Sequence, residues 1–191
     1  MTEVAELHGW VPQGPLFPED ITKVVLDARF EISDGKLEIM PPPSPWHQYS
    51  SRDVERLLDA RHASALSDVP LLVGDSGRRP DVIATSLTRE EIMRKRIRTA
   101  TPDMVEVAVE IISHDEDRRR DAVAVKRDRE TKAHEYAQAG IAEYWILDEV
   151  PGDPVDASVE IYHLRDGAYV AAAVVRLSAL VSGEVQIPMR E

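Results

Sequence analysis

The run MVEVAVEII at 104–112 sets an ionisable residue, Glu110, inside an otherwise apolar stretch. Period-two alternation places Val105, Val107, Val109 and Ile111 on one face of a strand, and Met104, Glu106, Ala108, Glu110 and Ile112 on the other. A strand this apolar on both faces belongs in the middle of a covered sheet. An ionised carboxylate buried there costs several kcal/mol unless it is paired, neutralised or bound to a metal. Any fold of this chain must therefore provide a partner for Glu110.

The flanking sequence gives the sheet its neighbours. RFEISDGKLEIM at 29–40 alternates on either side of Asp34-Gly35, the pattern of a two-residue hairpin. PPPSP at 41–45 breaks that strand; Ser44 can then cap a helix whose first position is Pro45. Val54, Leu57, Leu58 and Arg61 give this helix one buried stripe and extend it to about Ala65. Strands follow at Val69–Val73 and Asp81–Ala84, with a short exposed helix within Ser86–Arg98. Residues 126–139 read as a helix ended by Gly140. Glu143–Asp148 is a second core strand, Val159–Leu164 and Tyr169–Val175 flank a turn at Asp166-Gly167, and Val185–Ile187 is a last strand. The order predicts an α/β (α+β) fold, a mixed sheet flanked by helices. Residues 1–20, acidic and proline-rich, read as an arm with Trp10 and Phe17 as docking points, and 21–191 as a single domain.

Composition excludes several classes. The 191 residues contain no cysteine, so there is no disulfide scaffold, thiolate metal site or Cys nucleophile. No apolar run approaches a membrane span. The opening MTEVAELHGW lacks a basic region followed by an apolar one, which argues against secretion and for the cytoplasm. GxSxG, GxGxxG and GxxxxGK[ST] do not occur. The net charge of −12 argues against a nucleic-acid surface until it is divided along the chain. Residues 1–20 carry −4 and residues 143–191 carry −6, whereas the middle is nearly neutral. That middle holds basic clusters at Arg78-Arg79, Arg94–Arg98, Arg118–Arg120 and Lys126–Arg129, each either a solvated face or a phosphate-contacting rim. The balance predicts weak, salt-sensitive DNA binding.

Two carboxylates stand out, Glu110 and Asp81, which opens a strand after Pro80. If the two strands are neighbours, both acids can converge on one Mg²⁺, an ion that takes oxygen ligands and retains water. Two acids, a metal and a nearby lysine form a device for phosphodiester hydrolysis, the lysine orienting or deprotonating the water. Spacing alone favours the plainer arrangement, in which Glu110 pairs with an arginine and Asp81 caps a turn. Asp128, Lys132 and Tyr136 share a helical face at i, i+4 and i+8, which by itself is an ordinary surface pair. His47, near a helix start, is by itself more often structural.

Taken in order, these segments resemble the Uma-type restriction endonuclease family, a branch of the PD-(D/E)xK nuclease superfamily. The resemblance runs from about Ala28 to Pro188. It rests on Arg29–Leu37, Pro41–Ser44 with His47, Pro80–Ile83, Pro102–Val105 leading to Val109–Ser113, Asp128–Lys132, and Tyr136–Ile141 with Glu143–Asp148. It implies a restriction-endonuclease-like core and Mg²⁺- or Mn²⁺-dependent cleavage of DNA. It makes Asp81 and Glu110 the metal carboxylates, with Glu31 and His47 as accessory residues. The superfamily lysine two residues after the second acid is here Ile112; the resemblance implies that its role has moved to the helix, where Lys132 is chosen over Lys126. The stretch from Ser113 to Arg127 is longer than the family's usual link. It is either a mobile DNA-contacting loop or a segment that displaces Lys132. A homodimer would supply one site per strand of a duplex. The alternatives are an inactive nuclease fold acting as a DNA- or protein-binding module, and an interaction protein that docks through its acidic ends.

Overall fold

A computed structural model of the protein describes residues 9–114 and 118–188, the side chain of Arg120 excepted. In chain order the strands are β1 Gly9–Trp10, β2 Val25–Leu26, β3 Phe30–Ser33, β4 Lys36–Ile39, β5 Ser64–Ser67, β6 Leu71–Val73, β7 Ser76–Arg78, β8 Val82–Thr85, β9 Val105–Ile111, β10 Glu143–Val150, β11 Asp153–Arg165 and β12 Ala168–Arg176. The helices are α1 Pro45–Asp59, α2 Arg89–Lys95, α3 Arg118–Lys126, α4 Ala133–Gln138 and α5 Leu177–Ser182, with a π-helical segment, Arg127–Lys132, joining α3 to α4. No described helix is long and apolar enough to cross a membrane.

The main sheet has the order β12-β11-β10-β9-β8-β5. Its one parallel pair, β9 with β10, is connected by the α3–α4 helix, because parallel neighbours need a long crossover. As its sequence requires, β9 is central and buried. Val107, Val109 and Ile111 pack under Val54 and Leu58 of α1 and Leu177 and Leu180 of α5. Ala108 and Ile112 pack with Tyr136, Tyr144 and Ile146 on the other face. Val105 departs from the expected alternation and joins the second cluster. The register of β9 against β8 shifts between Ala84 and Thr85, leaving Glu106 as an unpaired bulge residue that reverses the order of faces.

A separate four-stranded sheet, β4-β3-β7-β6, contains the first hairpin. Asp34 and Gly35 both have positive φ, 49° and 71°, as a two-residue hairpin turn of type I′ requires. The mixed sheet expected from the sequence is thus two sheets, since β3 pairs with β7 and not with any strand of the main sheet. A turn at Pro18–Thr22 closes the small sheet with a core of Leu16, Ile21, Val24, Phe30 and Ile32. Of the segment read as an arm, residues 1–8 lie outside the described residues; Leu16 and Asp20 are buried, while Trp10 and Phe17 are exposed.

Ser44 caps α1 by accepting the His47 N–H, and Pro45 follows it as expected. The helix ends at Asp59, earlier than its apolar stripe suggested. Residues 64–67 are claimed by pairing with β8, the Asp59 carboxylate holds the Ala65 N–H, and Arg61 is exposed. Residues 185–187 form no strand; α5 precedes them and ends at Gly183 (φ 77°). From Arg118 the long 113–127 link is helical, while 115–117 lie outside the described residues.

Gly77 in β7 is the tightest point between the small sheet and its closing turn. A methyl group there would lie 2.9 Å from the Pro18 carbonyl oxygen and 3.1 Å from the Ile21 side chain. Gly77→Ala is expected to lower stability by ~1–3 kcal/mol, as overpacking does, and Leu58→Ala by ~2–5 kcal/mol through cavity formation. Urea denaturation checks both as reduced midpoints.

Candidate active site

The antiparallel register of β8 and β9 sets Val82 opposite Val109, with Asp81 immediately before β8 and Glu110 within β9. Both acids line the same cavity. The Asp81 N–H donates to the Val109 carbonyl at 3.0 Å, and the Ile111 N–H donates to Asp81 Oδ2 at 2.7 Å. On Asp81 Oδ1 converge Arg29, at 2.9 Å, and His47 Nε2, at 3.2 Å. Strand pairing thus clamps the first acid from the back, and two cationic or polar side chains hold it from the front.

Glu110 meets a different environment. Lys132 Nζ donates to its Oε2 at 2.8 Å and the Tyr136 hydroxyl to its Oε1 at 2.7 Å. The same ammonium lies 2.9 Å from Glu31 Oε1 and 3.3 Å from Asp128 Oδ1. Glu31 is fully buried on β3 and also accepts the Arg79 N–H at 3.0 Å and Arg78 at 3.3 Å. Asp128 is paired with Arg127 at 3.1 Å. The partner that the sequence demanded for Glu110 is therefore a lysine, supported by a phenol, and not an arginine.

These surroundings push the two proposed metal acids apart. Burial acts to raise the pKa of Asp81, but the His47 hydrogen bond and the charges of His47, Arg29 and Lys132 outweigh it, holding the carboxyl well below the usual range. Burial raises Glu110 to about 8; Lys132 opposes the shift, while Asp128, Asp81 and Glu31 add to it. Burial likewise opposes charge on Lys132, yet Glu110, Glu31 and Asp128 together keep it an ammonium far above neutral pH.

Asp81, Glu110 and Lys132 line one cavity of about 70 Å³, together with His47, Arg29 and Arg127. It is large enough for about two waters. No group of three or more His, Cys, Asp or Glu side chains among the described residues is arranged to hold a metal ion. Asp81 and Glu110 give one cavity with room for water two carboxyl groups, the oxygen donors that a small divalent cation keeping most of its own water takes. The donor set fits Mg²⁺ on that basis.

The structure brings Asp81, Glu110, Lys132, His47 and Glu31 together, the last acting on Lys132 without lining the cavity. Lys126 is exposed, its nearest acid being Glu130 at 3.9 Å. The long link does not displace Lys132. Arg29 and Arg127 reach the cavity although no periodicity marked them; the signals were the place of Arg29 in the opening-hairpin motif and of Arg127 in the basic cluster Lys126–Arg129. Of the basic clusters, Arg78 is neither a solvated nor a phosphate-facing residue. It is buried, with two bonds of 2.7 Å to Glu135 and one of 3.1 Å to Ser33.

The raised pKa of Glu110 has a sign that stability measurements can read. Between about pH 4.5 and 8 folded Glu110 retains a proton that the unfolded chain has lost. Its contribution therefore makes stability fall as pH rises through that window, by at most ~1.4 kcal/mol per pH unit for one proton, and level off above it. Denaturant titrations of the metal-free protein are expected to show this decline, and Glu110→Gln to remove it.

Comparison with known proteins gives the family and the fold. The Uma2 family, described as "Putative restriction endonuclease", matches residues 20–190. Among solved structures, one from Anabaena variabilis ATCC 29413, described as a putative nuclease belonging to DUF820, superposes with a TM-score of 0.55. It is 15% identical in sequence over 85% of this chain and 84% of its own. No curated protein matches. The fold is thus shared with that solved structure, and with a family match spanning nearly its whole length the chain belongs to the Uma2 family.

Proposed function

We propose that the protein is a Mg²⁺-dependent endonuclease that hydrolyses DNA phosphodiester bonds, with Asp81 and Glu110 as metal ligands and Lys132 beside the hydrolytic water. The observation that carries this reading is the meeting of two carboxyl groups and a buried lysine at one small cavity, in a chain of this family. When bound, the cation supplies charge stabilisation at the phosphate and a more acidic water. Asp81 is ready for this role because it is ionised and anchored through the Ile111 N–H. Lys132 remains an ammonium, so its contribution is to donate hydrogen bonds and charge to the water or phosphate, not to remove a proton. Arg29 and Arg127 add positive charge to the cavity wall, where a phosphate oxygen would be drawn. In this reading the protein acts in the cytoplasm, and a homodimer sets one such site on each strand of a duplex.

A second reading, a nuclease fold without catalysis acting as a DNA- or protein-binding module, draws on one observation. Every oxygen of Asp81 and Glu110 already has a partner within the protein. Binding of Mn²⁺ that depends on Glu110 separates the two readings.

Nicking of supercoiled plasmid in Mg²⁺ or Mn²⁺ tests the enzyme directly. Wild type is expected to cut, Asp81→Ala, Glu110→Ala and Lys132→Met to lose ~10²-fold or more, in line with removal of a transition-state contact, and Lys126→Met to cut as wild type does. A wild-type protein inert with several divalent ions and several nucleic-acid substrates would remove the enzymatic reading.

A further inference from the structure

An ammonium has three N–H donors, and Lys132 faces three carboxylate oxygens, at 2.8 Å on Glu110, 2.9 Å on Glu31 and 3.3 Å on Asp128. The side chain is buried. The bond it donates goes to Glu110, while Glu31 and Asp128 hold it as ion pairs, so the ammonium is turned to acids in each of these contacts. A lysine so committed can act on substrate only after one acid lets go.

The three acids are not held equally. Glu31 is fastened from behind by Arg78 and by the Arg79 N–H. Asp128 is fastened by Arg127. Glu110 has only the neutral hydroxyl of Tyr136 besides the lysine. It is also the acid that lines the cavity while carrying no guanidinium or backbone donor of its own.

We propose that Glu31 and Asp128 are positioning residues that hold the Lys132 ammonium by ion pairing, and that its hydrogen bond to Glu110 is the exchangeable one, surrendered when Glu110 turns to a divalent cation. In the cation-free protein the ammonium holds Glu110 Oε2 and competes with the metal for that oxygen. With the site loaded, the N–H given to Glu110 is free to turn toward the cavity, while the ion pairs with Glu31 and Asp128 keep the amine in place. Cation and lysine are thereby coupled: the group that acts on the water is freed only when the ion is present. The inference rests on the metal reading above but concerns the lysine itself.

Two measurements test it without relying on cleavage. In ¹⁵N-labelled wild-type protein the Lys132 ammonium is expected to exchange hydrogens with water slowly when metal-free, and at least ten-fold faster in saturating Mg²⁺. In calorimetry, Lys132→Met is expected to bind Mn²⁺ at least ten-fold more tightly than wild type, because the competitor is gone, and Asp81→Ala more weakly. Should Lys132→Met require Mn²⁺ to fold, that dependence is itself the expected competition seen through stability. Glu31→Gln and Asp128→Asn are expected to fold and bind Mn²⁺, yet to let the ammonium exchange rapidly even without metal. If wild type binds Mn²⁺ through Asp81 and Glu110 while ammonium exchange is unchanged by Mg²⁺, or Lys132→Met binds no more tightly, the coupling is wrong and the metal site stands. If neither protein binds the ion, both fall together.

Discussion

One buried positive charge organises this protein. The Lys132 ammonium is surrounded by acids from three separate elements: Glu31 on β3 of the small sheet, Glu110 on β9 at the centre of the main sheet, and Asp128 on the π segment between α3 and α4. Each acid alone would be expensive to bury, and the lysine alone equally so. Together they are tolerable only if all three elements stay within hydrogen-bond reach of one nitrogen. The small sheet is therefore joined to the main one by this ion cluster as well as by apolar contact. Removing one member of such a cluster typically costs ~3–5 kcal/mol, because its partners are left charged in a dry interior.

From this centre the polar contacts radiate in two directions. Arg78 carries the network outward from Glu31 to Glu135 on α4, so the helix is held to the small sheet as well as to β9. Arg29 carries it from Asp81 to Asp68 and the Arg79 carbonyl. Around both branches the two apolar clusters exclude water. Asp81 of one branch and Glu110 at the centre both line the cavity, the first held ionised by its cationic partners and the second held protonated by burial.

Local signals in the sequence were legible where chemistry and geometry are local. Asp34-Gly35 and Asp166-Gly167 both form the expected turns with positive φ. Ser44 and Pro45 mark the start of α1, and the pattern around Glu110 identifies the central strand. What was not legible depends on pairing across distance. Nothing in Arg29–Ile39 tells β3 to pair with β7 and leave the main sheet, since alternation is the same in either setting. The end of α1 was hidden because Arg61 extends a helical period that the strand at 64–67 overrides. Arg78 reads as one of many surface arginines until Glu31, Glu135 and Ser33 assemble around it. Of the site, Asp81 and Glu110 could be picked out by strand context, and Lys132 only with the help of a family pattern. Its three acids come from distant parts of the chain, which no spacing rule encodes.

The π segment at Arg127–Lys132 has a bearing on how such a site tolerates length change. A π turn is in effect one residue more than an α-helix needs, and here it spans the interval that sets Asp128 and Lys132 against each other and ahead of Tyr136. In an uninterrupted α-helix each residue advances the face by about 100°. Losing one residue from this interval would regularise the helix yet swing Asp128 and everything before it away from the face that Tyr136 keeps on Glu110. The locally better helix would be the one that dismantles the cluster. The count between Asp128 and Tyr136 is a reading frame of its own.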